Sequence, residues 1–303
     1  MEQHYSKSNN PIVTVLMSVY NGKLYLREAI ESILGQTFSN FEFLIVDDCS
    51  KDESLAIINS YQDSRIRIIR NEVNLGLGGS LNKGLAESRG FYIIRMDDDD
   101  ISAPERIRKQ ILFMEKNPQI GASGSGIRII RDRHFEEVWC HPTNFDEIKC
   151  KLLFYNVLFH PSVIIRKSIL KDTGICYNSH FKYAQDYDLW ARLAEKTSLA
   201  NMGDDLLYYR VHSGQVSIEH WREQEKVKEI VQKNQLWKLG IQPTEQEFAV
   251  HCILGNREIP SSQALREGTE AWLLKLKSRN DSLGYYPEPM FTKLIDGYLN
   301  QCR

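Results

Sequence analysis

Residues 12–19 read Ile-Val-Thr-Val-Leu-Met-Ser-Val. The run is apolar at nearly every position and rich in β-branched residues. It lacks the alternation of a strand with one wet face, so it predicts a strand covered on both sides. A parallel sheet between two helix layers covers its strands that way, and the next eighty residues keep to that plan. After Asn21-Gly22, Leu26, Ile30, Ile33 and Leu34 recur at helical spacing; Phe41 to Val46 is strand-like and stops at Asp47-Asp48. Leu55, Ile58 and Tyr61 predict a second helix, Ile66 to Ile69 a short strand, Leu77, Leu81 and Leu85 a third helix, and Tyr92 to Met96 a further strand. Strand–helix alternation of this kind predicts an α/β fold with a mostly parallel, Rossmann-like sheet flanked by helices.

Past Pro104 the pattern changes. Ile107, Ile111 and Met114 mark a helix, strand-like pieces occupy 121–140 and Val163–Ile165, and a mixed region runs to about 216. Residues 219–303 read mostly as helix. The expected organisation is a tail over 1–10, a main domain over 11–216 with halves 11–103 and 104–216, and a C-terminal helical region over 217–303. With 303 residues, 42% of them hydrophobic, the chain can bury a sizeable core. A net charge of -2 argues against a nucleic-acid binder, and the apolar content argues against disorder. The six cysteines include no C-x-x-C pair, so no zinc site is expected. No apolar run follows Lys7, as a signal peptide requires, and no stretch reaches the ~20 apolar residues of a membrane span. A cytoplasmic protein is therefore expected, with attachment to a membrane surface left open.

In parallel sheets, ligands bind beyond the carboxyl ends of the strands. Three chemically loaded segments fall there: Ser18-Val19-Tyr20-Asn21, Asp47-Asp48-Cys49-Ser50 and Asp97-Asp98-Asp99-Asp100. Consecutive carboxylates repel and resist burial unless a cation joins them. Hard oxygen ligands point to Mg²⁺ or Mn²⁺. A solvated acidic turn before the next helix is the plainer alternative, but the strand end favours the metal. Asp47-Asp48 can accept hydrogen bonds from a nucleobase or ribose, or cap the helix that starts near Asp52. Neither G-x-G-x-x-G after the first strand nor G-x-x-x-x-G-K-[ST] occurs, which disfavours the two common nucleotide folds.

Taken in order, Pro11 to Asn21, Ala29 to Thr37, Ile45 to Ser50, Asn74-Leu75-Gly76, Ser80 to Leu85, Asp97 to Asp100, Pro104 to Ile107, Gln185 to Trp190 and Tyr209 to His212 resemble family 2 glycosyltransferases of the GT-A fold. The resemblance covers roughly residues 10–215. It implies inverting transfer of a sugar from a nucleotide donor, usually a UDP-sugar, to a saccharide or lipid-linked saccharide in cell-surface polysaccharide assembly. It places Ser18, Tyr20, Asn21, Asp48, Asn82, Asp97 and Asp98 around the donor nucleotide. It makes Asp99 the direct metal ligand with His212 near the metal, and Asp186 the catalytic base. Gln185 stands where Glu is commoner and retains the capacity to bond a sugar hydroxyl. The segment around Ser80 lacks the usual Arg, which leaves the diphosphate contact unassigned. The chemistry agrees with the resemblance: inverting substitution needs a base, a counter-charge for the leaving diphosphate and an anchored nucleotide.

Other residues carry weaker signals. Trp190 has core spacing, and Asp188 reads as the structural partner of Asp186. His160 reads equally as a structural histidine or a substrate contact, and His134, His141, His180 and His251 as surface or structural. Lys275, Lys277 and Arg279 after Trp272-Leu273-Leu274 could dock peripherally on anionic lipid, against the alternative of a solvated helix face. Two other functions were weighed. A sugar-nucleotide nucleotidyltransferase would need a glycine-rich phosphate loop after the first strand, and Tyr20-Asn21-Gly22-Lys23 is a poor one. A non-catalytic carbohydrate- or nucleotide-binding protein would not need both Asp186 and the aspartate block.

Overall fold

The structure is a computed structural model that describes residues 10–302 apart from 132–133, 216–218, 259 and 261. The tail expected over 1–10 thus lies outside the described residues except for Asn10, and so does the boundary at 216–217. The first run forms β1 (Val13–Val19), the centre of a parallel group with β2 (Phe41–Asp47), β3 (Ile66–Arg70) and β4 (Tyr92–Met96). Helices α1 (Leu26–Leu34), α2 (Ser54–Asn59) and α3 (Gly76–Glu87) connect them. Val13, Val15, Met17 and Val19 pack against Ala29, Ile30 and Ile33 of α1, while the alternate Leu16 joins Leu44, Ile93 and Leu81 of α3 on the other face. Contact with α3 is intimate: a Cβ on Gly84 would stand 2.2 Å from Cδ1 of Leu16.

Beyond β4 the sheet is mixed. The elements are β5 (Ile101–Ser102), α4 (Arg106–Lys116), β6 (Ile120–Arg131), β7 (His134–Trp139), α5 (Phe145–Lys151), a 3₁₀ turn at His160–Ser162, β8 (Ile164–Arg166), α6 (Lys167–Thr173), α7 (Gln185–Leu193) and β9 (Ser198–Arg210). The order is β3-β2-β1-β4-β8-β6-β9-β5, with β7 on β6. Strand β8 runs antiparallel to β4 and β6, whereas β9 is parallel to β6 and antiparallel to β5. Trp190 of α7 is fully buried, as its spacing predicts.

Among the described residues beyond β9 lie the helices α8 (Trp221–Lys238), α9 (Glu245–Gly255), α10 (Gln263–Leu283) and α11 (Met290–Cys302). Their core, with Leu236, Leu254, Trp272, Leu276, Tyr286, Phe291 and Ile295, closes over Leu153 and Phe154 of the main domain. The Trp272 cluster therefore looks inward. Trp272 is 1% exposed, Lys275 pairs with Glu247 at 2.6 Å, Lys277 with Asp296 at 2.9 Å, and Arg279 donates to the Leu239 carbonyl at 3.1 Å. The aromatic needed for docking on lipid is in the core. No described helix is long and apolar enough to cross a membrane.

Candidate active site

Register gathers the loaded segments at one edge. Val19 lies beside Asp47 and Met17 beside Met96, so the loops after β1, β2 and β4 leave the sheet as neighbours. Ser18, half-buried, is the last β1 residue but one. Tyr20 follows at 51% exposure. Asn21 takes a left-handed φ of 56°, which short polar side chains tolerate. It ties two loops together: its Oδ1 accepts from the Lys51 amide at 2.8 Å, and its own amide donates to Ser50 Oγ at 3.1 Å. Asp48 is 2% exposed, and both side-chain hydrogen bonds to it use Oδ1, from Asn71 Nδ2 and the Leu75 amide, each at 2.8 Å. Among the described residues no hydrogen bond reaches Oδ2. Asp47 accepts from the Ser50 amide at 3.3 Å, within its own turn. Asn82, expected at the donor, is committed elsewhere. Its amide clamps the backbone of Tyr177, donating to the carbonyl at 2.8 Å and accepting from the N–H at 2.9 Å, which makes it a brace.

The four aspartates take separate directions. Carboxylate oxygens of Asp97, Asp99 and Asp100 lie within 4.8 Å of one another. Asp97 forms an ion pair with Arg95, so its expected place at the donor is shared with a structural one. Asp98 lies over Gly22, where a Cβ would stand 2.0 Å from its Oδ2; only glycine admits that approach. Asp100 is fully buried: Oδ1 accepts from the Arg210 amide at 2.9 Å, and Oδ2 has no hydrogen-bond partner among the described residues. His212 Nε2 lies 3.0 Å from Asp99 Oδ2. Arg210 donates to the Asp99 carbonyl at 2.8 Å and to Glu28 at 2.6 Å, its guanidinium resting over the Tyr25 ring.

Burial pushes the Asp97, Asp98 and Asp100 carboxyls above the usual range, and the neighbouring aspartates push the same way. Beneath them Arg106, fully buried, donates to the carbonyls of Arg95 and Pro161 at 2.7 and 2.8 Å; burial pulls its pKa down to about 9. These residues fit a hard divalent cation. They offer carboxylate oxygens and one imidazole nitrogen, and one buried oxygen without a partner.

The third group sits where α7 begins. Ala184, at φ 50°, turns the chain into the helix. Asp186 Oδ2 accepts from Asn156 Nδ2 at 2.7 Å. Burial raises its pKa, against the lowering effects of the Tyr187 amide, Arg95 and Asn156. Gln185 is 3% exposed and its Oε1 has no partner among the described residues. Asp188 is held by Arg192 at 2.6 and 2.9 Å. His160 Nε2 lies 2.8 Å from the Tyr177 hydroxyl, and burial first and Arg95 second drive its pKa well below the usual value. His141 stacks on Phe159 at 4.1 Å, and His251 lies between the Leu153 carbonyl and Trp272.

The sequence reading passed over Arg95, Arg106, Asn71, Asn156 and Arg210. Arg95 left a signal as a charge inside the apolar strand Ile93-Ile94-Arg95-Met96, and Arg106 and Arg210 stand inside the matched motifs Pro104 to Ile107 and Tyr209 to His212, though without a role. The others act through contacts between distant segments.

Comparison with known proteins adds an independent line. The model of the family described as "Glycosyl transferase family 2" matches residues 14–174. An uncharacterized glycosyltransferase of Haemophilus influenzae is 36% identical over 248 residues, 77% of this chain and 77% of the relative. WfaP of Escherichia coli, a UDP-Glc:alpha-D-GlcNAc-diphosphoundecaprenol beta-1,3-glucosyltransferase, is 34% identical over 236 residues, 76% of this chain and 87% of WfaP. Among solved structures, S. aureus TarS 1-349 in complex with UDP has a TM-score of 0.59 at 19% identity, covering 95% of this chain and 89% of that one. The mannosyltransferase PcManGT of Pyrobaculum calidifontis, in complex with GDP-Man and Mn2+, also has a TM-score of 0.59, at 15% identity, covering 99% of this chain and 90% of that one.

Proposed function

The chain belongs to glycosyl transferase family 2 and is a glycosyltransferase of the GT-A fold; from that premise we propose that it transfers a sugar, with inversion, from a UDP-sugar to a saccharide hydroxyl in polysaccharide or glycolipid assembly. The observation that carries the proposal is the meeting at one sheet edge of an acceptor oxygen on Asp48 and the Asp97–Asp100 block with His212, with Asp186 under the influence of Arg95, the ion-pair partner of Asp97. On this reading residues 11–103 bind the donor, 104–216 face the acceptor, and 217–303 form a helical support.

Asp48 Oδ2 accepts a hydrogen bond from the nucleobase, and Tyr20 flanks the base. Such an acceptor suits uracil, which presents an N–H, better than cytosine, whose ring nitrogen is itself an acceptor. Asp99 and His212 hold a divalent cation, Mn²⁺ or Mg²⁺, which when bound offsets charge on the departing diphosphate. Asp186 takes the proton of the acceptor hydroxyl as its oxygen bonds to the anomeric carbon and the bond to the diphosphate breaks. Its raised pKa makes it a stronger base than a free carboxylate. Gln185, next to Asp186 in the chain, offers its buried Oε1 to a sugar hydroxyl, and His160, with Nε2 on the Tyr177 hydroxyl, is a second candidate contact.

WfaP supports a lipid-diphosphate-linked acceptor, given its overall identity of 34%. With such an acceptor the protein works peripherally at a membrane face. The test is a thermal-shift panel of nucleotide sugars with and without Mn²⁺, because a ligand that binds only the folded state stabilises it by mass action. Selective stabilisation by UDP-sugars that requires Mn²⁺ is expected. A panel in which no nucleotide sugar stabilises the protein would sink the reading.

A further inference from the structure

Asn71 follows β3 directly and is 1% exposed. Every polar atom of its side chain is committed. Nδ2 donates to Asp48 Oδ1 and to Ser80 Oγ, each at 2.8 Å, and Oδ1 accepts from Lys83 Nζ at 2.8 Å. Its own amide donates to the Asp47 carbonyl at 2.8 Å. Ser80 and Lys83 lie three residues apart on α3, hence on one helix face.

We propose that Asn71, locked by Lys83, is a positioning residue that aims the Asp48 carboxylate at the donor nucleobase; the proposal rests on the assignment of Asp48 made above. An amide can sit in its slot either way round. Here a flip would set Asn71 Oδ1 against Asp48 Oδ1, acceptor facing acceptor, and Nδ2 against the Lys83 ammonium, donor facing donor. The lysine therefore fixes the amide, and the amide together with the Leu75 N–H saturates Oδ1 of Asp48. Asn74 Nδ2 adds a long bond to the Asp48 carbonyl at 3.4 Å. With Oδ1 saturated and the side chain buried, the carboxylate can neither rotate freely nor exchange its two oxygens. Oδ2 arrives pre-aimed, so the nucleotide meets no ordering penalty at that contact. Among the described residues Lys83 makes no hydrogen bond to Asp48 or to the aspartate block, so the hydrogen-bonded route from it to the donor runs through Asn71.

A double-mutant cycle reads that coupling directly. UDP is titrated by calorimetry, in Mn²⁺, into wild type, Asp48→Ala, Asn71→Leu, Lys83→Met and the two doubles carrying Asp48→Ala. Asn71→Leu should weaken UDP on the order of tenfold and Lys83→Met a few-fold, with Lys83→Arg close to wild type. In the Asp48→Ala background both effects should nearly vanish. At saturating donor, kcat should stay within about twofold for Lys83→Met, since a ground-state contact is lost. Lys83 is exposed, so its variant keeps the test open if Asn71→Leu fails to fold. If Asp48→Ala weakens UDP but the other substitutions add to it in full, or do nothing alone, the relay is wrong and Asp48 stands. If Asp48→Ala leaves UDP affinity unchanged, the nucleobase assignment falls and the relay with it.

Discussion

The sheet edge and the C-terminal helices treat buried polar groups in opposite ways. Between α8 and α11 the buried polar side chains are satisfied. His251 meets the Leu153 carbonyl at 3.0 Å and Trp272 Nε1 at 3.3 Å, Asn280 bonds both ends of the Tyr286 backbone at 2.7 and 3.1 Å, and Gln232 reaches the Phe154 carbonyl at 2.6 Å. The buried side-chain atoms that lack a hydrogen bond among the described residues all lie in the main domain, and Asp47 Oδ2, Asp100 Oδ2 and Gln185 Oε1 are oxygens of the candidate site. A folded chain leaves few such groups without a reason. Here the helices are built for stability, and the edge holds polar atoms that a cation and a sugar nucleotide can satisfy.

Substitutions should separate the two regions. The largest effect is expected at Asp186. Asn keeps the size and an oxygen but cannot take a proton at neutral pH, so Asp186→Asn should slow transfer ~10²–10⁴-fold with donor affinity retained. In wild type the acid limb of kcat should lie above the ordinary carboxylate range, because burial raises that pKa and the base works only when ionised. Near wild-type transfer by Asp186→Asn alongside a loss in Asp188→Asn would move the base to Asp188.

Trp272→Ala should do the reverse. Emptying a site that is 1% exposed removes about 3–5 kcal/mol of stability, read by denaturant unfolding, while the activity of the folded fraction is unchanged. A selective loss of turnover without a loss of stability would show that the helices do chemistry.

A smaller effect tests the strain in the aspartate block. The folded pKa of Asp100 is raised, so the folded state holds its proton more tightly than the unfolded state does. Stability from this group therefore increases as pH falls through the folded pKa, and is fully present below the unfolded one. In chelator near pH 7.5, Asp100→Asn should raise Tm by about one to two degrees, and the gain should shrink as pH is lowered. A gain that does not depend on pH would place its origin elsewhere.

Much of this contrast is legible in the sequence. The apolar run at 12–19 and the alternation to Met96 follow from local periodicity, and a strand end marks where ligands gather, so the three loaded loops could be placed together before any coordinates. The order of the mixed half could not: Val163–Ile165 reads as a strand, but the antiparallel place of the three-residue β8 is fixed by β4 and β6 on either side. The Trp272 cluster misled for a related reason: a helix with aromatic and basic residues reads alike whether the aromatic faces lipid or a neighbouring helix. Asn82 shows the limit at the site. Its type suits a nucleotide contact, but Tyr177, ninety-five residues away, takes both ends of its amide. Asn71 is silent in sequence because its partners come from two separate segments, Asp47-Asp48 and Ser80 to Lys83.

The account stands or falls on whether the aspartate block binds the donor through a cation. Calorimetric titration of UDP into wild type and Asp99→Ala, each in Mn²⁺ and in chelator, measures this with no acceptor needed. Wild type should bind UDP in Mn²⁺ and lose at least about tenfold in affinity in chelator. Asp99→Ala should bind weakly in both, with its melting temperature in chelator no lower than that of wild type. Equal UDP affinity in all four titrations would contradict the account.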